Sequence, residues 1–288
     1  MLTAFVAAGA ALFVALVAAP SAGASASGKP LPGKTQTDSF GTVFREVGAD
    51  DFTKAAPLGS WEATHMQQVV YTGDHGMEWW DYPNGAKCLR FAECYMPSKV
   101  LSVHGGVLDY WLHRCSYTDG FVGDCAAAPQ PIIPAHGTHP ASEFQTYGRY
   151  EVRMKVVFDS PNLADYHIAW LLWPKNKINA CGESDFPEGN LRYYALLHAF
   201  AHYGCDPTVR TTQDRFARRV DLTKWHTFTQ EWGPGWRRYY LDDHLLGVAT
   251  HRVWSHPERW SLQIEPWTQG DTHGHVLVDW VWIGTLGQ

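Results

Sequence analysis

Charge is scarce in this chain of 288 residues: Asp, Glu, Lys and Arg make up only 18 % of it, and the net charge is −6. Surfaces that grip phosphate backbones are basic, so this balance argues against nucleic acid as a partner. It also opposes a strongly anionic polysaccharide, unless a local basic patch overrides the average. Sustained helical periodicity is almost absent, and no repeat of fixed period runs through the chain. None of the six cysteines has a neighbour at the two-residue spacing of a zinc knuckle. Aromatic residues are plentiful instead, with 14 Trp, 13 Tyr and 13 Phe. They favour strands, and they stack on flat apolar faces such as those of sugar rings.

Leu2 to Ala19 is an uncharged run of mostly Ala, Val and Leu, followed by small residues at Ala22-Gly23-Ala24 and Ala24-Ser25-Ala26. This reads as an export signal over residues 1–26. No Lys or Arg precedes the run, and a permanent N-terminal anchor is the alternative. A flexible leader over 27–45 and a single domain over 46–288 are expected to follow. Six cysteines in an exported chain suggest three disulfides, of which fifteen pairings are possible. Proximity favours Cys88 with Cys94, Cys115 with Cys125, and Cys181 with Cys205. The expected location is extracellular, with no stable membrane association once the signal is cleaved, and the expected state is a monomer.

Short strands punctuated by turns fill the rest. Lys99 to His104 and Val107 to Arg114 flank a Gly105-Gly106 turn, and Ser116 to Ala141 reads as a long loop. In Tyr147 to Phe158, Tyr150, Val152, Met154 and Val156 alternate with Arg149, Glu151, Arg153 and Lys155, the pattern of a half-buried antiparallel strand. Further strands are expected over 168–173, 191–203, 225–232, 236–242, 245–251, 260–266 and 275–283. The fold class is all-β, an antiparallel sandwich or jelly roll.

The chemistry is expected at Cys181-Gly-Glu-Ser-Asp-Phe-Pro-Glu-Gly189. On a strand, Glu183 and Asp185 share one face while Ser184 and Phe186 take the other. Glu188 falls on the wrong face unless one residue bulges, and Pro187, which cannot donate a ladder hydrogen bond, marks an edge or a bulge. Three acids on one face repel each other, a poor choice for stability alone. Two close carboxylates at unequal pKa are what glycosidic cleavage needs, one as nucleophile and one to protonate the leaving oxygen. The plain alternative is a surface strand with solvated acids.

Together with Tyr147-Gly-Arg-Tyr-Glu-Val-Arg-Met-Lys155, Trp225-His-Thr-Phe-Thr-Gln-Glu-Trp232, Tyr239-Tyr-Leu-Asp242 and Val278-Asp-Trp-Val281, the stretch Glu183-Ser-Asp-Phe-Pro-Glu188 resembles glycoside hydrolase family 16, in its bulged E-x-D-x-x-E form. The resemblance runs from about Asp51 to the C-terminus. It implies a concanavalin A-like jelly roll with a concave cleft. It implies Glu183 as nucleophile, Glu188 as general acid and then base, and Asp185 assisting between them, with retained anomeric configuration. It points to a secreted endo-β-glycosidase on β-1,3- or β-1,3-1,4-glucan that needs no cofactor for catalysis. Ser184 and Pro187 depart from the better-known members. A non-catalytic lectin-like module and a transglycosylase are the alternatives.

Around the acids, Trp170 is expected in the cleft, Trp173 in the cleft or on the opposite face, and Trp267 at the far end of the cleft or in the core. His202 matches a cleft histidine of the family, with an ordinary hydrogen-bonded histidine as the alternative. Asp279 matches a contributor to a structural calcium site that many relatives carry on the convex face.

Overall fold

The structure is a computed structural model that describes residues 31–86, 94–116, 122–177, 181–204, 213–268 and 270–287. The expected export signal, Cys88 and Cys205 lie outside the described residues.

Two antiparallel sheets face each other across one apolar core. The six-stranded sheet runs, in order, Phe144–Gln145, Glu258–Pro266, Leu163–Pro174, Ser184–Leu191, Tyr194–His202 and Gln213–Asp221. The opposing nine-stranded sheet is centred on Gly148–Phe158, which pairs with Gly274–Leu286 on one side and His226–Gly233 on the other. The alternation read from the sequence sets the packing. Tyr150, Val152, Met154 and Val156 are buried inward, where they meet Ile168, Trp170, Leu172, Phe186 and Leu262 of the other sheet. Phe186 meets Phe228 edge-on across the gap, with ring centroids 5.5 Å apart. The antiparallel jelly-roll expectation therefore holds.

Three readings of the chain need correction. The leader expected over 27–45 already contains the strand Thr35–Thr37 and the start of Val43–Asp50. Val43–Asp50 pairs with Gly274–Leu286, and Phe44 is fully buried against Trp280 and Trp282. A polar composition concealed one anchoring aromatic, and the partner strand lies more than two hundred residues away in sequence. The loop expected over 116–141 contains the strands Val122–Ala126 and Gln130–Ile132, whose small residues are buried. The strand expected over 168–173 is twice as long, Leu163–Pro174.

Cys115 is bonded to Cys125, with Cα atoms 5.9 Å apart, as proximity suggested. Cys94 and Cys181 are also in disulfides.

Candidate active site

Strand Ser184–Leu191 lies in the middle of the six-stranded sheet, so its proline is not at an edge. It is at a bulge. Against Leu163–Pro174, Asp185 lies opposite Leu171 and Glu188 opposite Ala169. Against Tyr194–His202, Asp185 lies opposite Phe200 and Glu188 opposite His198. On both sides three steps along the acid strand match two on its neighbour, which is one extra residue. The extra residue reverses the parity and turns Glu188 to the face that carries Asp185. Ser184 and Phe186 stay in the core. Ser184 Oγ lies 2.7 Å from the Tyr239 hydroxyl and 3.1 Å from Gln230 Oε1, so this buried hydroxyl is satisfied.

Glu183 immediately precedes the strand, and its carbonyl accepts from the His202 backbone N–H at 2.9 Å. Gly182 turns the chain into it at φ 118°, where a side chain would be strained and its Cβ would come within 3.0 Å of Glu258 Oε1. Arg237 holds that turn by donating to the Gly182 carbonyl at 2.8 Å.

The cross-strand register lays out the sheet's outer face as rows. One row runs Arg259, Trp173; the next Ser261, Leu171, Asp185, Phe200, Arg215; the next Gln263, Ala169, Glu188, His198. The last begins with Glu265 and His167 and continues to Asn190. A groove with a cavity volume of about 630 Å³ lies over these rows, and Glu183, Asp185 and Glu188 all open into it.

Burial and mutual repulsion tune the acids. Desolvation, and then the Asp185 charge, push Glu183 up to about 9. Asp185 is buried, and desolvation followed by the Glu188 charge drives it well above the carboxylate range. The two carboxyls hydrogen-bond each other, so the pair keeps a proton through neutral pH. His202 approaches from the next strand, its Nε2 3.0 Å from Asp185 Oδ2. Burial holds His202 below the usual histidine value.

Of the expected aromatic residues, Trp173 and Trp267 line the groove, and Trp267 is 59 % exposed. Trp170 does not. It is fully buried in the inter-sheet core. Residues 166–174 pair with Glu258–Pro266 in unbroken register. Parity therefore sends Tyr166, Ile168, Trp170 and Leu172 inward and His167, Ala169, Leu171 and Trp173 to the groove. His167 is the residue the sequence reading missed. Counting back in twos from Trp173 reaches it, and its Nε2 lies 3.2 Å from Glu188 Oε1.

Asp279 is fully buried, and its Oδ2 faces Arg153 Nε at 3.3 Å. Arg153 and Lys155 both lie over the Trp225 ring, at 5.6 and 5.0 Å. A buried carboxylate that already faces a guanidinium does not fit a calcium site. No cluster of His, Cys, Asp and Glu suited to a metal occurs among the described residues.

No protein-family model matches the sequence, and no curated protein matches it. Solved structures do match. An endo-β-1,3-glucanase from Pyrococcus furiosus superposes with a TM-score of 0.65 at 14 % identity, covering 90 % of this chain and all (100 %) of that one. The chain has its jelly-roll fold. The laminarinase from Rhodothermus marinus has a TM-score of 0.59 at 20 % identity, covering 86 % of this chain and 99 % of that one. A non-specific endo-β-1,3(4)-glucanase of family GH16 also has a TM-score of 0.59, at 16 % identity, covering 85 % and 92 %. With identity so low, these likenesses concern the jelly roll itself, and the reading of the groove rests on its own residues.

Proposed function

We propose that this chain is a secreted family 16 glycoside hydrolase that cleaves a β-1,3- or β-1,3-1,4-linked glucan internally, with retention. The observation that carries the reading is the bulge at residues 185–188, which brings Glu188 onto the groove face beside Glu183 and Asp185. The glucanases that share the fold support the choice of substrate class.

In the first step, an ionised Glu183 attacks the anomeric carbon as the glycosidic C–O bond breaks. Glu188 gives its proton to the departing oxygen. In the second step, Glu188 takes a proton from water, which displaces Glu183 and restores the β configuration. Glu183 attacks only when ionised, so the shared proton must then rest on Asp185. Below the apparent pKa of the pair, both carboxyls are neutral and the nucleophile is lost. Activity therefore rises with pH along this limb. Asp185→Asn keeps a neutral hydrogen-bond donor beside Glu183 but cannot take its proton. Its acid limb in a kcat/KM profile is therefore expected within about half a pH unit of wild type, with reduced kcat. A limb lower by about one pH unit or more would mean that Asp185 is ionised while Glu183 titrates, and would contradict a proton resting on Asp185.

Trp173, on the groove floor, offers a stacking face. Trp173→Ala is expected to raise KM about 3- to 10-fold, the scale of one aromatic contact, with little effect on kcat. Michaelis kinetics on laminarin checks this.

The function itself is tested by reducing-sugar release from laminarin, curdlan, lichenan, xyloglucan, agarose and carrageenan. Turnover is expected on the first three. Binding to a glucan with no release from any polymer would replace the enzyme with a lectin-like module.

A further inference from the structure

We propose that His167 is the positioning residue for Glu188, holding with it the single proton that the reaction delivers to the leaving sugar. This inference rests on Glu188 being the general acid, and it is carried by hydrogen-bond geometry.

The chain of contacts begins at Asn190. Its Nδ2 donates to the Ala164 carbonyl at 3.3 Å, so its Oδ1 is the atom that meets His167 Nδ1 at 2.9 Å. An amide oxygen can only accept, which puts a hydrogen on Nδ1. In a neutral imidazole the other nitrogen, Nε2, is then a bare lone pair. That nitrogen is the one 3.2 Å from Glu188 Oε1. A lone pair facing a carboxylate oxygen is repulsive, so a proton must lie between them. Either Glu188 is the acid and donates to Nε2, or Glu188 is ionised and accepts from an imidazolium. Both descriptions are the same pair carrying one proton.

The surroundings favour keeping that proton. The Trp267 ring stacks on the imidazole, with centroids 4.7 Å apart and planes 27° apart, and a π-face stabilises a cation. Burial opposes charge on His167, but the hydrogen bonds to Glu188 and Asn190 outweigh it and lift the imidazole above its ordinary range. From the strand on its other side, Glu265 lies directly across and adds negative charge. Asp185 and Glu183 share the groove face along the acid strand. From the Tyr194–His202 strand, His198 lies opposite Glu188, and burial and then the guanidinium of Arg215 push it below the usual histidine value. His202 is engaged with Asp185, and Arg237 lies beyond it, at the Gly182 turn.

The pairing has a use in both steps. A lone exposed glutamic acid titrates near ~4.3 and would hold little proton at neutral pH. Shared with His167, the proton survives to the imidazole's raised pKa. When the glycosidic bond breaks, its electron pair stays on the leaving oxygen, which takes the proton from the Glu188 carboxyl. The emptied pair then sets a carboxylate against a lone pair. That makes Glu188 a stronger base for the proton of the incoming water.

The experiment compares wild type, His167→Gln, Asn190→Asp and Glu188→Gln. His167→Gln keeps a donor for Glu188 but cannot hold the shared proton. Its alkaline limb of kcat/KM on laminarin is expected about 1–2 pH units lower. Its turnover at pH 7 is expected to fall about 10- to 100-fold, the lower part of the range for acid–base catalysis. With a dinitrophenyl glycoside, whose leaving group needs no proton, its first step should match wild type. Asn190→Asp should move the limb the opposite way. An unmoved limb in His167→Gln, or equal losses on both substrates, would overturn the proposal. Histidine nitrogen NMR reads the pairing without turnover. The His167 resonances, assigned from His167→Gln, should titrate above the ordinary histidine range in wild type and at lower pH in Glu188→Gln. Unchanged titration would also overturn it. If wild type cleaves no polymer, the glycosidase reading fails, and the NMR arm still decides whether the pair shares a proton.

Discussion

Glu183→Gln is expected to reduce glucan hydrolysis by about four to six orders of magnitude, the scale on which loss of a covalent nucleophile acts in other hydrolases. The amide is nearly isosteric with the carboxyl and remains a hydrogen-bond partner for Asp185, so the thermal midpoint should barely change. Burial and then the Asp185 charge oppose ionisation of Glu183, so a permanently neutral amide in its place is not expected to lower stability. Circular dichroism together with a laminarin assay separates loss of chemistry from loss of fold. The geometry also predicts the products of azide rescue. In Glu183→Ala, azide attacks in place of the missing carboxylate and gives the inverted glycosyl azide. In Glu188→Ala, azide displaces Glu183 from the glycosyl-enzyme and returns the substrate's own configuration. Product stereochemistry by NMR thus assigns each glutamate its role. Parent-level hydrolysis by Glu183→Gln would mean that the nucleophile lies elsewhere.

Trp170→Ala is expected to act through stability instead. The indole is fully buried between the sheets, and truncating a buried Trp leaves a cavity that costs about 3–5 kcal/mol. In a domain of this size the midpoint should fall by about 10 °C. Denaturant titration of Trp170→Ala beside Trp173→Ala provides the contrast. The first should lose several kcal/mol with KM little changed in whatever remains folded, and the second should do the reverse. A stable Trp170→Ala protein with impaired substrate binding would mean that the parity of Leu163–Pro174 has been misread.

The two tryptophans mark the limit of sequence reasoning. Their spacing already states that they point opposite ways on a regular strand, but not which way. Resemblance placed Trp170 in the cleft. The unbroken register against Glu258–Pro266, with Ile168 and Leu172 beside it in the core, places Trp173 there instead. His167 escaped notice for the same reason: with Trp170 assigned to the cleft, His167 counts onto the core side. Asp279 is a second case. The resemblance matched it to a structural calcium site, whereas the structure sets it against the guanidinium of Arg153, on another strand.

What the sequence determined by itself is whatever short-range chemistry decides. The two-residue period established the all-β sandwich, and a proline beside three acids foretold the bulge, because side-chain alternation and a missing N–H are properties of a few consecutive residues. The tertiary structure alone decided which face of each strand meets the other sheet and which groups from distant strands meet the acids. It put Phe44 under Trp280 and Trp282, and it put His167 against Glu188. Those choices depend on register between strands far apart in the chain, and a one-residue slip exchanges core for groove along a whole strand.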